Sequence, residues 1–137
     1  MSDSMIVFIR NEHIPKIDQL REALQVKGLT LESWDEASSI QEVEGFWPGR
    51  FKGEEAGFEF MLGEVEDDDL EDWGVKKSSL EGRELVIDLA YYTELDLSAS
   101  AICAAYFIDL CDGVTFGDED ELSVNRSNAD EWLKNYL

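Results

Sequence analysis

Apolar and polar residues recur along this chain with two periods, and each change of period marks a predicted element. An apolar run over 5–9 predicts a strand that is covered on at least one side. Over 17–27 the apolar residues return at helical spacing, after Pro15, which a first helical turn tolerates. Gly28 suits the end of that helix, and the alternation over 29–34 predicts a second strand. The chain therefore opens β-α-β.

The central stretch, 45–62, contains turn signals followed by the pattern of a strand. Pro48-Gly49 predicts a type II turn beside large aromatic residues, and Gly53 predicts a second turn. From 57 to 62 apolar and polar positions alternate, which places Glu59 and Met61 on the side opposite the phenylalanines. Seven of the nine residues over 64–72 are acidic, which indicates a mobile loop or the start of a short exposed helix.

The last third of the chain contains the clearest strand pattern, over 84–92. Ser98 is a candidate N-cap for an alanine-rich helix that ends at Gly113. A short strand is predicted over 114–116 and an acidic turn over 117–121, before a closing helix. The resulting order is β-α-β-β-β-α-β-α.

This order predicts one α+β domain over 1–137, with helices packed on one face of a mostly antiparallel sheet. A ferredoxin-like variant is the arrangement we expect. The other face of the sheet would then stay partly open. It would show Glu59, Asp88 and Tyr92, close to the aromatic residues of the central stretch.

The net charge narrows the class of partner. The chain carries 32 acidic and 11 basic residues, a net charge of −21. The first 53 residues hold nine acids and six bases, so most of the negative charge lies in the remaining 84. Such a field repels nucleic acid and anionic membranes, and it accelerates encounter with cationic proteins. Solubility, or adaptation of a housekeeping domain to a salty cell, would also explain the acidity.

The sequence predicts a cytoplasmic protein. It has neither an apolar run of the roughly 20 residues that a membrane span needs nor the pattern of a signal peptide. Cys103 and Cys111 fall in one predicted helix, too far apart for a disulfide, and suit buried positions.

We find no pattern typical of catalysis, cofactor binding or a metal site. His13 is the single histidine, and neither cysteine has a basic neighbour in the sequence. The acidic run fails the calcium-loop pattern, because Asp72 stands where glycine is needed and Ser78 where glutamate is needed. Weak, unspecific cation binding by 67–69 remains open. Glu59 and Asp88 could serve a small hydrolase-type enzyme as paired carboxylates, although solvated strand residues explain them more simply.

Aromatic residues placed beside acidic ones are the remaining feature that indicates a function, namely the binding of another protein. Buried aromatics anchor protein interfaces and surrounding charge steers the partner, although the same aromatics could pin long loops to the core. The predicted partner-binding residues are Phe46, Trp47, Glu54, Glu55, Glu59, Asp67, Asp68, Asp69, Trp73 and Asp88.

Several segments, taken in order, resemble a known group of proteins. They are the strand and helix over 6–28, Gly45-Phe46-Trp47-Pro48, Gly57-Phe58-Glu59, the alanine-rich helix and the segment 113–118. Together they are similar to small bacterial proteins of the polymorphic-toxin immunity type, many of them uncharacterised. The resemblance implies a cytoplasmic protein that binds and blocks a cognate toxin without catalysis. We therefore expect an acidic, non-enzymatic inhibitor of a basic protein such as a toxin domain.

Overall fold

The structure is a computed structural model that describes residues 3–32, 40, 45–116 and 123–137. The described elements confirm the α+β class. In chain order they are β1 (Asp3–Ile9), α1 (Ile17–Val26), β2 (Leu29–Leu31), β3 (Gly45–Trp47), β4 (Gly49–Phe51), β5 (Glu54–Glu55), β6 (Phe58–Glu64), α2 (Asp67–Trp73), β7 (Leu85–Tyr91), α3 (Glu94–Leu110), β8 (Thr115–Phe116), β9 (Ser123–Val124) and α4 (Ala129–Leu133). Short 3-10 helices cover Lys77–Leu80 and Lys134–Tyr136.

The main sheet has four strands in the order β1-β7-β6-β3, and each neighbouring pair is antiparallel. This confirms the mostly antiparallel sheet. The ferredoxin-like order is not confirmed, because β2 does not join this sheet. It pairs with β4 in a separate sheet of order β2-β4-β5. The predicted strand over 29–34 forms β2 over Leu29–Leu31, Glu32 follows it outside the strand, and 33–34 lie outside the described residues. The acidic turn over 117–121 also lies outside the described residues.

One face of the main sheet carries the core. Val7, Ile87, Leu89 and Phe60 point to this side and are fully or almost fully buried. Helix α3 packs across β1, β6 and β7, while α1 and α4 pack against α3. Residues on all sides of α3 are buried, since the sheet and other helices surround it.

Among the described elements, the opposite face is covered at one end only. Here Phe8 and Val86, which are register partners on β1 and β7, pack with Leu70 of α2 and with Leu80. The acidic run thus forms a short helix, and its one buried side chain, Leu70, lies in this smaller cluster. Three helices lie on the core face as predicted, and α2 lies on the other.

Pro48 connects the two sheets and does not form the predicted type II turn. It stands between β3 of the main sheet and β4 of the smaller one, and Gly49 does not have the positive φ that such a turn requires at its third position. Gly49 is small because a Cβ there would lie 2.7 Å from the Thr30 carbonyl oxygen. The second predicted turn is present, since Lys52 and Gly53 both have positive φ between β4 and β5.

Helix α3 begins four residues before the predicted cap. Thr93 is the N-cap, and its hydroxyl oxygen accepts a hydrogen bond from the Asp96 backbone N–H at 3.0 Å. Ser98 lies inside the helix, where its hydroxyl donates to the Tyr136 carbonyl oxygen. This earlier start brings the carboxylate of Asp96 beside the ends of two strands.

Candidate functional site

The uncovered end of the second sheet face is the candidate site, and we call it the open face. It consists of Phe46, Glu59, Met61, Asp88 and Tyr92. The register places Phe46 opposite Glu59 and Met61 opposite Asp88, and the alternation of β7 brings Tyr92 to the same side as Asp88. Directly opposed residues in antiparallel strands have Cβ atoms about 5 Å apart. The five side chains therefore form one continuous surface.

Three of these five side chains are large, apolar or aromatic, and exposed. The exposed fractions are 50% for Phe46, 48% for Met61 and 55% for Tyr92. Single exposed hydrophobic residues are common on protein surfaces, whereas a cluster rimmed by polar groups is typical of interaction sites. The Tyr92 hydroxyl donates a hydrogen bond of 2.6 Å to Glu59 Oε1, which ties an aromatic ring to a carboxylate within the cluster.

Asp88 is the perturbed carboxylate of the open face. Burial raises its pKa, and the negative charges of Glu59 and Asp69 raise it further, while a hydrogen bond with Ser4 lowers it. Its Oδ1 atom is buried and has no hydrogen-bond partner among the described residues. A cationic group at this surface would reduce the repulsion between Asp88, Glu59 and Asp69.

The first turn of α2 extends the negative charge beyond the strands. Asp67 and Asp68 are exposed, and Asp69 lies close enough to raise the pKa of Asp88. The carboxylate of Asp67 forms an ion pair of 3.5 Å with Lys77, but both side chains are about 80% exposed, so this pair is weak. Of the predicted acids 67–69, Asp69 therefore lies near Asp88.

Asp96 fixes the strand ends from which the open face is built. Its carboxylate accepts hydrogen bonds from the backbone N–H of Gly57 at 3.1 Å and from that of Tyr92 at 3.2 Å. Gly57 precedes β6 and Tyr92 follows β7, so one buried side chain connects both strands to the N-terminus of α3. The position of Glu59 relative to Tyr92 depends on this connection.

Trp47 must be removed from the predicted contact set. Its side chain is 0% exposed, because the alternation of β3 turns it toward the core, where it packs edge-on against Phe58 and Phe60. Its indole Nε1 donates to the Glu32 carbonyl oxygen. A fully buried ring contributes to the packing of the core and to no surface of this fold.

The structure places the other predicted contact residues in three locations. Phe46, Glu59 and Asp88 lie on the open face, and 67–69 lie in the first turn of α2, with Asp69 near Asp88. Glu54 and Glu55 are exposed on β5, which belongs to the smaller sheet, so they are not part of this surface. Trp73 is 37% exposed at the end of α2, where its ring contacts Phe8 edge-on at 5.9 Å and anchors the acidic segment.

The predicted contact set omitted Met61 and Tyr92. The signal for both was present, because strict alternation from Glu59 and from Asp88 reaches them. Tyr92 was already expected on the open side of the sheet, and Met61 on the side of β6 opposite the phenylalanines. Exposure of a large side chain at an outward strand position was the better criterion.

The described residues show no obvious catalytic or metal centre. No group of three or more potential metal ligands converges among them. Burial raises the pKa of both thiols, that of Cys111 to about 11, so both are protonated at neutral pH. Among the described helices, none is long and apolar enough to cross a membrane.

Comparison of the chain with protein-family models, with curated proteins and with solved structures finds no match.

Proposed function

We propose that this protein is a non-enzymatic binding protein whose open face contacts a basic partner protein. The observation that carries the proposal is the cluster of three exposed apolar or aromatic side chains, Phe46, Met61 and Tyr92, set among the carboxylates of Glu59 and Asp88. Exposed aromatic residues supply contact energy and the acidic groups select and steer a cationic partner.

The partner class we favour is a toxin domain with a basic surface, which is what the resemblance implies. A stable interface buries about 800 Å² on each partner, more than five side chains supply. The acidic first turn of α2 would complete the contact area. The proposal keeps the cytoplasmic location, since buried, free Cys103 and Cys111 suit a reducing compartment.

Affinity enrichment from the native lysate, followed by quantitative mass spectrometry, tests this proposal. The bait is the wild type, the double variant Phe46→Ser/Tyr92→Ser, or the matched control Val26→Ser/Leu137→Ser. The control removes two exposed apolar side chains away from the open face. We expect a basic protein that the wild type and the control retain and the face variant loses. Equal retention by all three baits, or no basic partner, would contradict the proposal.

An enzyme that uses Glu59 and Asp88 is the second candidate, and the raised pKa of Asp88 is the observation in its favour. Acid-base catalysis usually requires a concave site that excludes water, whereas Glu59 is exposed on an extended sheet. Activity-based screening with general hydrolase substrates separates the candidates. Turnover that Asp88→Asn abolishes would favour the enzyme.

A further inference from the structure

Three arginines converge on one aspartate at a second place on the molecule. Arg10 Nε lies 2.8 Å from Asp112 Oδ2, while Arg83 Nη2 and Arg126 Nε lie 3.5 Å and 3.6 Å from Asp112 Oδ1. The chain has only 11 basic residues against 32 acidic ones. The concentration of positive charge here runs against the charge of the whole protein.

The three guanidinium groups are held to different degrees. Arg83 is almost buried, with 8% of its side chain exposed, and it donates to the carbonyl oxygens of Asp112 and Leu80. Arg10 also donates to the Glu81 carbonyl oxygen. The side chain of Arg126 is 52% exposed, and among the described residues its guanidinium has the loose ion pair to Asp112 and no hydrogen bond. Arg83 is therefore fixed in place by its hydrogen bonds, whereas the guanidinium N–H groups of Arg126 can donate to a ligand.

Arg83 and Arg126 border an open cleft of about 430 Å³, a volume that suits a small molecule. Ser79, Asn125 and Ser127 also line the cleft and carry neutral hydrogen-bonding groups. Val114 and Phe116 give it an apolar side. A cationic group, neutral donors and an apolar wall together match a ligand with a charged head and a less polar body.

Among the described residues, the charges at the cleft leave a small positive excess once Arg10 is included. Arg83 and Arg126 line the cleft together with Asp112 and Glu81, so the lining itself is balanced. Arg10 pairs with Asp112 from outside the lining and adds one positive charge. The hydrogen bond from Arg10 is the largest influence on Asp112 and holds its pKa below the ordinary value, so it stays ionised. Remote carboxylates are screened beyond about 8 Å at physiological salt, so the local charge governs the contact.

We propose that this cleft, bordered by Arg83 and Arg126 and backed by Arg10, binds a small phosphate-bearing molecule. A phosphate monoester carries about −1.5 to −2 charges at pH 7 and three acceptor oxygens. Planar guanidinium groups pair with it through two parallel hydrogen bonds. A carboxylate has fewer acceptors and a single charge, so it would use fewer of these donors. This site is separate from the open face and does not depend on the function proposed for it.

Isothermal titration of the full chain with inorganic phosphate, glycerol phosphate and acetate, at about 0.15 M salt, tests the proposal. We expect both phosphates to bind and acetate to bind at least about tenfold more weakly. Arg126→Gln should weaken phosphate binding about tenfold, whereas Arg50→Gln, which removes the same charge elsewhere, should not. Glu81→Gln should strengthen phosphate binding, because it removes a negative charge from the cleft.

Thermal unfolding separates a binding site from a purely structural ion cluster. At a phosphate concentration about ten times Kd, Tm of the wild type should rise by about 3 to 5 °C. Arg126→Gln should unfold near the wild-type Tm without phosphate and lose most of that rise. No heat of binding up to about 10 mM phosphate, or equal affinity in Arg126→Gln and the wild type, would overturn the proposal.

Discussion

Replacing Asp96 with alanine should destabilise the whole fold, because this residue connects α3, β6 and β7. The substitution removes the acceptor of two backbone N–H groups, those of Gly57 and Tyr92. Each buried donor that loses its acceptor costs about 1 to 3 kcal/mol. Loss of a carboxylate from the first turn of α3 adds about 0.5 kcal/mol through the helix dipole. We therefore expect the free energy of unfolding to fall by about 3 to 5 kcal/mol.

Urea denaturation followed by tryptophan fluorescence and by circular dichroism measures this loss. Asp96→Asn keeps one acceptor oxygen and should lose about half as much, which preserves a measurable variant if Asp96→Ala fails to fold. Asp109→Ala is the matched control, since Asp109 is exposed near the C-terminus of the same helix. It should change stability by less than about 0.5 kcal/mol. If Asp96→Ala stayed within 1 kcal/mol of the wild type at an unchanged m-value, the reasoning about these hydrogen bonds would be refuted.

Three further predictions follow from single side chains. Trp47→Ala should cost about 3 to 5 kcal/mol in urea denaturation because the ring is fully buried, and a loss below 1 kcal/mol would contradict its core position. Gly57→Ala should lower Tm strongly, because a Cβ there would lie 2.5 Å from the Trp47 carbonyl oxygen. Gly63→Ala is the control and should leave Tm almost unchanged, because its Cβ would have nothing within 4 Å. Similar Tm values for the two variants would be evidence against this packing. Asp88→Asn should stabilise the fold at pH 7, because it removes a partly buried negative charge. The higher stability of Asp88→Asn should shrink as pH falls to 4, because the Asp88 carboxylate, with its raised pKa, takes up a proton in the folded state before it does so in the unfolded state. A stability difference independent of pH would show that the charge of Asp88 is not its cause.

Hydrophobic periodicity predicted the long strands and helices correctly, but the helix cap and the turn at Pro48-Gly49 were predicted wrongly. The strands β6 and β7 follow from local alternation, and β1 follows from a continuous apolar run. Helix α1 follows from apolar residues at helical spacing. The start of α3 was misplaced because Ser98 and Thr93 are both good caps, and only the Thr93 hydroxyl accepts from a backbone N–H in the first turn. Pro48-Gly49 was interpreted as a turn because the sequence does not reveal that a strand changes sheet there.

The candidate site was partly predictable from the alternation of apolar and polar residues along the strands. Outward positions on β6 and β7 follow from alternation, so Glu59 and Asp88 could be found. Their closeness depends on register, which is a contact between strands distant in sequence. The ion pair between Arg10 and Asp112 could not be predicted from local sequence patterns, since the two residues are 102 positions apart. Burial of Trp47 could have been inferred from the alternation of β3, because Trp47 directly follows the outward residue Phe46.

The central claim is that the open face, and not the overall acidity, binds a basic protein. The most direct measurement is the affinity of the recovered partner for the wild type, Phe46→Ser/Tyr92→Ser and Val26→Ser/Leu137→Ser at low and at physiological salt. The account predicts that the face variant binds at least about 100-fold more weakly, as loss of two central anchors implies, and that the control binds like the wild type. It also predicts weaker wild-type binding at higher salt. Equal affinity of all three proteins would contradict the claim.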